Sequence, residues 1–225
     1  MKPVVVMTDS GKTQTDEVEL IHIPLIGIEV LPVRSDYQEH YDWLIFTSQN
    51  AVEVFSQNYD ITANHIAAIG SKTKSALENM GWTVDFMPSA YNQESFIVEA
   101  GSRFDGRNIC LPVSAKARPA LFEFLSARGL VDRIDLYQPA PSRSAAEQIH
   151  AMIEAQKVDV LTFMSPSAVD AYYSLFTPVE IPVVAIGPVT YRRLTEYGQR
   201  CVMPEEATKE QMITKILEMR EQNEF

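Results

Sequence analysis

Four short stretches bring hydroxyl side chains together with glycine and an occasional cation: "TSQN" from Thr47, "IGSKT" from Ile69, "MSPS" from Met164 and "IGPVT" from Ile186. Thr47, Ser48, Ser71, Thr73, Ser165, Ser167 and Thr190 offer hydroxyls, Lys72 a positive charge, and Gly187 an unobstructed backbone. Such residues at the start of a helix hold anions, because the first N–H groups lack partners and the helix dipole is positive there. The same hydroxyls also serve as ordinary helix caps. Four junctions of this kind in one chain favour a ligand-binding cleft over caps alone.

Other chemistries lose ground. No two glycines stand as G-x-G, so a dinucleotide fingerprint and a P-loop are both absent. Ser48 and Ser165 lack the G-x-S-x-G surroundings of a nucleophile elbow. His22, His40, His65 and His150 are scattered without metal-ligand spacing. The expectation is a site with no metal and no cofactor.

The elements that position these junctions are written twice. "DWLIFTSQNAV" begins at Asp42 and "DVLTFMSPSAV" at Asp159, an offset of 117 (159 minus 42). At the same offset Ile69-Gly70 matches Ile186-Gly187, Thr73 matches Thr190, Leu77 matches Leu194 and Gly81 matches Gly198. One residue then slips, and Pro88 lies opposite Pro204. A period this long is no solenoid repeat; it marks two related domains.

"DWLIF" and "VLTF" are continuously apolar, as strands covered on both faces are. Helices follow, with Asn50-x-x-Glu53 and, more weakly, Ser167-x-x-Asp170 resembling capping boxes. "HIAAIG" and "PVVAIG" are second strands, leading into helices that stop at Gly81 and Gly198. "WTVDFMP" and "QRCVMP" read as third strands, "NQESFIVEA" and "TKEQMITKILEM" as third helices. The middle copy continues through "NICLPV", a helix over "AKARPALFEFLSARG", and "DRIDLY"; the other finds these strands at the front, in "PVVVM" and "VELIHI". The polar "TDSGKTQTDE" between the front strands predicts a loop or a single turn where the middle domain has a helix.

The predicted fold class is therefore α/β. Two related parallel-sheet, flavodoxin-like domains are joined by a two-strand hinge, one inserted into the other. The terminal domain takes residues 1–33 plus 139–225 and the middle domain residues 36–136. The hinge runs through "EVLPVRSD" and "LYQPAPS".

Bulk properties agree. A chain of 225 residues with 46% hydrophobic content fills two cores. Mean hydropathy is −0.10, and no apolar run nears the ~20 residues of a membrane span. The net charge of −11 argues against nucleic acid or an anionic membrane as partner. Cys110 and Cys201, without C-x-x-C spacing, read as free thiols of a reducing cytoplasm. With no sign of a coiled coil, the default is a monomer.

In order, "DWLIFTSQNAVEVF", "IAAIGSKT", "ICLPVSAKARPAL", "IDLYQPAP", "VLTFMSPSAV" and "VAIGPVTYRRL" resemble the uroporphyrinogen-III synthase family over nearly the whole chain. The resemblance implies two α/β domains around a cleft and cofactor-free catalysis in haem biosynthesis. Its substrate is hydroxymethylbilane, a linear tetrapyrrole with eight carboxylates, handed over from hydroxymethylbilane synthase. It closes with inversion of ring D through a spiro intermediate and loss of water, a cyclising hydro-lyase reaction. By the same resemblance Tyr137, in "DLYQP", hydrogen-bonds the departing hydroxyl. Thr190, Thr47, Ser48, Ser165 and Ser167 match positions near bound tetrapyrrole. Lys72, Lys116, Arg118, Arg143 and Arg192 sit near expected strand-to-helix ends, where cations would offset the net charge. One departure stands out: the family commonly has Thr-Arg after its first strand, and here Thr8 is followed by Asp9. A non-catalytic two-lobed module for a small anion is the rival reading.

Overall fold

The structure, a computed structural model, describes residues 2–11 and 13–222 and divides into two compact units. The first holds the chain up to Gly27 and from Ala140 onward; the second runs from Ile28 to Pro139. The strands are β1 (Val4–Met7), β2 (Glu19–His22), β3 (Ile26–Val30), β4 (His40–Phe46), β5 (Thr62–Ala68), β6 (Asn108–Ser114), β7 (Leu130–Pro141), β8 (Val160–Phe163) and β9 (Val183–Ala185). The helices are α1 (Gln49–Asn58), α2 (Ser71–Asn79), α3 (Gln93–Glu99), α4 (Ala120–Ser126), α5 (Arg143–Glu154), α6 (Pro166–Tyr173), α7 (Pro188–Glu196) and α8 (Lys209–Glu221).

The first unit carries a sheet of order β2-β1-β8-β9, the second one of order β3-β7-β6-β4-β5. The pairs β1–β2, β1–β8 and β8–β9 are parallel, as are β4–β5, β4–β6 and β6–β7. In place, β1 and β2 stand to β8 as β6 and β7 stand to β4, so the front strands complete the later repeat. The order reverses between β4 and β6 and again between β8 and β1. Ligands of open α/β sheets bind beyond the strand carboxyl ends at such points.

Alternation builds the cores. Leu44 and Phe46 of β4 pack on one face with Phe55, Leu77 and Leu136; Trp43 and Ile45 pack on the other with Phe96, Phe104 and Leu121. In the first unit Leu161 and Phe163 meet Ile149 and Tyr172, while Val160 meets Met212 and Ile216. Strands covered on both faces need no polar alternation, which explains the continuous apolar runs.

Three expected elements are corrected. The third strands shrink to single parallel bridges, Ala67 to Phe86 and Val184 to Val202. A proline stands two residues on in each copy, Pro88 and Pro204, and proline cannot donate to a ladder. The helix over "AKARPALFEFLSARG" is only α4, because Pro119 occupies its N-cap and the preceding residues form a turn. Described residues between β1 and β2 hold no helix, as expected of that polar stretch. Gly81 (φ 82°) and Gly198 (φ 76°) end α2 and α7 in the left-handed region that favours glycine. The N–H of Trp82 reaches the Leu77 carbonyl, and that of Gln199 the Leu194 carbonyl, at 3.0 and 3.1 Å. These are paired Schellman endings.

Candidate active site

Among the helices that start at strand carboxyl ends, α1, α2, α6 and α7 show two kinds of N-terminus. Ser48 caps α1, its Oγ accepting from the Ala51 N–H at 3.1 Å; Ser165 caps α6, accepting from Ala168 at 3.2 Å. The capping boxes expected at Asn50 and Ser167 are thus corrected by two residues. The strands end at Phe46 and Phe163 and the helices turn sooner. Ser167 Oγ lies 3.0 Å from Ser165 Oγ, and Thr47 is half-buried just before the cap.

The second kind has no side-chain cap. Gly70 and Gly187 are the N-caps of α2 and α7, and neither supplies an acceptor. A Cβ on Gly187 would meet the Ala207 Cβ at 3.1 Å, so this backbone runs close against its neighbour. Thr73 and Thr190 stand third in their helices, only 4% and 3% exposed, and no described residue hydrogen-bonds either hydroxyl. The Cα–Cβ bonds of a helix tilt toward its N-terminus, so both threonines lie over the uncapped first turn. Ser71 and Lys72 are exposed on the first turn of α2.

Tyr137 comes from β7. Its register with β6 shifts between Val113 and Ser114, so that Ser114 pairs with Tyr137 and Leu136 is passed over. Such a bulge re-aims a side chain. The ring is buried, 6% exposed, and the phenol oxygen lies 2.9 Å from Ser48 Oγ. Two residues read separately in the sequence are therefore one hydrogen-bonded pair, and Ser48 ties it to the α1 N-terminus.

The cations divide. No carboxylate among the described residues pairs with Lys72, Lys116 or Arg192. Arg118 is occupied by Glu94 at 2.7 Å and Arg143 by Glu147 at 2.8 Å. The carboxyl of Glu94 is held below its usual range, first by a backbone hydrogen bond and then by Arg118. At the first junction Asp9 accepts from Lys209 Nζ and from the Gly11 N–H. His22 Nδ1 stands 3.8 Å from the other Asp9 oxygen. Lys209 was not a candidate from the sequence; a cation 200 residues from its partner leaves no local signal. Among the described residues no group of three side chains could hold a metal ion, and no helix is long and apolar enough to cross a membrane.

Sequence comparison decides the family. A family model described as uroporphyrinogen-III synthase HemD matches residues 10–214. The chain belongs to the uroporphyrinogen-III synthase family. That family serves haem biosynthesis as a lyase-type enzyme of tetrapyrrole synthesis. A putative uroporphyrinogen-III synthase of Methanothermobacter thermautotrophicus is 31% identical over 200 residues, covering 79% of this chain and 78% of that one. A porphyrin biosynthesis protein HemD of Ruminiclostridium josui is 25% identical over 85% of this chain, which spans only 42% of that longer protein. The crystal structure of the Helicobacter pylori uroporphyrinogen-III synthetase shares the fold, with a TM-score of 0.57 at 18% identity over 98% of this chain and all of that one.

Proposed function

We propose that the protein cyclises hydroxymethylbilane to uroporphyrinogen III, in the cytoplasm and as a monomer, with substrate handed over by the enzyme that makes it. Pyrrole nitrogen pushes out the substrate hydroxyl, which leaves as water once a proton is supplied. The resulting azafulvene cation attacks ring D at its substituted position to give a spiro intermediate. Fragmentation and recombination then invert ring D, and loss of a proton restores the pyrrole.

The observation that carries this reading is the Tyr137–Ser48 pair at 2.9 Å at the strand carboxyl edge. Its hydroxyls hydrogen-bond the departing oxygen, with Tyr137 as the catalytic donor. The uncapped N-termini of α2 and α7 take substrate carboxylates through backbone N–H groups, helped by Ser71, Thr73, Gly187 and Thr190. Ser165, Ser167 and Thr47 add hydroxyls at the other two junctions; Lys72 adds charge, and Arg118 does so by exchanging Glu94 for a substrate carboxylate. These local donors outweigh a net charge of −11 within a Debye length of ~8–10 Å. Favouring the inverted product 100-fold takes about 2.7 kcal/mol of differential barrier, which positioning alone can supply.

Product analysis tests the reading. Hydroxymethylbilane generated in situ closes unaided to isomer I; with the protein present, the oxidised porphyrins should be mostly isomer III. Isomer I alone, from folded protein, overturns it.

A further inference from the structure

One tight turn occurs in both units with different residues at its apex. The Asn92 N–H donates to the Ala90 carbonyl at 2.8 Å, and the Thr208 N–H to the Glu206 carbonyl at 2.8 Å. Tyr91 and Ala207 occupy the two apices, just before the caps of α3 and α8. Each apex packs on the glycine that starts a neighbouring helix. A Cβ on Gly70 would lie 3.6 Å from the Tyr91 Cβ, and one on Gly187 lies 3.1 Å from the Ala207 Cβ. The second unit thus roots an aromatic side chain beside the N-terminus of α2, where the first unit roots a methyl group beside α7.

Tyr91 is 61% exposed, the most exposed aromatic ring among the described residues. No described residue hydrogen-bonds its phenol or stacks on its ring. The loop beneath is held firmly: Ser89 gives both its N–H and its hydroxyl to the Glu99 carboxylate, at 2.9 and 2.6 Å. Folding does not call for this ring, since the same turn stands with Ala207. Its neighbours do favour a ligand. The first turn of α2 has no side-chain cap, the 4%-exposed Thr73 keeps an unpartnered hydroxyl, and exposed Lys72 pairs with no described carboxylate. A tyrosine rooted beside such an uncapped helix start matches a flat electron-rich ring bearing carboxylate arms.

We propose that Tyr91 is a positioning residue for the substrate: its ring stacks on one pyrrole while the α2 N-terminus, Thr73 and Lys72 hold a carboxylate of that pyrrole. The assignment rests on the synthase reading above and singles out one unit as the ring-gripping one.

The test is steady-state kinetics with in-situ hydroxymethylbilane on the full chain, comparing wild type, Tyr91→Ala and Tyr91→Phe. Tyr91→Ala should raise KM about 10-fold, the scale of one lost aromatic stack. It should also lower the isomer III fraction while leaving the melting temperature in place. Tyr91→Phe should restore both kinetic values. Tyr91→Ala with wild-type KM and isomer ratio overturns the assignment, as does Tyr91→Phe failing like Tyr91→Ala. If wild type itself yields only isomer I, the synthase reading falls and takes this one with it; isomer III from wild type with an unaffected Tyr91→Ala sinks only the stack.

Discussion

Tyr137 and Ser48 lie 89 residues apart in the chain and meet through a single hydrogen bond. Removing one hydroxyl separates chemistry from stability. Tyr137→Phe should keep the ring packing and cost only about 1 kcal/mol by denaturant titration. If the phenol assists departure of the hydroxyl, isomer III formation should fall by about 100-fold, the lower end of proton-transfer assistance; an unchanged rate would assign Tyr137 to packing alone. Each residue of the pair was legible from its motif and family position. Their contact was not, because it depends on a bulge between β6 and β7 that no local pattern announces. The thiols carry a pH prediction. Burial pushes Cys201 up to about 11, and Cys110 is fully buried and pushed up further. Alkylation of Cys201 in native protein should therefore rise about tenfold per pH unit from 7 to 9 with no plateau, while Cys110 reacts only after unfolding. Mass spectrometry of the two peptides checks both statements.

The helix ends are where duplication is most literal. Ser48 and Ser165 cap, Gly70 and Gly187 open, Gly81 and Gly198 close, each pair at the same offset. Ser165→Ala should cost about 1 kcal/mol, a lost N-cap. Ser48→Ala should cost that much and also reduce isomer III formation, because it strips Tyr137 of its partner. Urea titrations beside product assays distinguish the two serines. Gly81→Ala and Gly198→Ala should each cost about 1–2 kcal/mol through the left-handed backbone. Helix stops were legible because glycine has a distinct conformational reason to be there. The starts of α1 and α6 lie two residues before the expected capping boxes, because Ser, Asn and Thr are near-equivalent caps and the strand end decides among them, whereas α2 and α7 begin where their stretches do. The third strands were overread: "WTVDFMP" has the composition of a strand, but one bridge at Phe86 is all that precedes Pro88.

At the scale of the whole molecule, the chain passes between units only twice, through β3 and β7, which are neighbours in one sheet. Hydrogen bonds stand on either side of the passage. The Ser142 N–H donates to Leu25 at 2.8 Å, and the Leu31 N–H to Leu136 at 2.9 Å. Arg34, leaving this passage, reaches Asp132 at 3.0 Å, and Tyr41 donates to the same carboxylate at 2.6 Å. Residues 28–139 have their own core on both sheet faces, so that segment expressed alone should unfold cooperatively in urea; a broad, non-cooperative transition would show that its core is incomplete. The Asp132 bonds that brace this segment link residues about a hundred positions apart, so no local pattern announces them. That brace has a consequence for the gene. Codons for the inserted unit enter and leave at two points whose flanking residues already touch, so the unit is a cassette. A relative's coding segment for the same unit could be spliced between Gly27 and Ala140 with no designed linker, and hybrids made this way would report which half of the protein sets product choice.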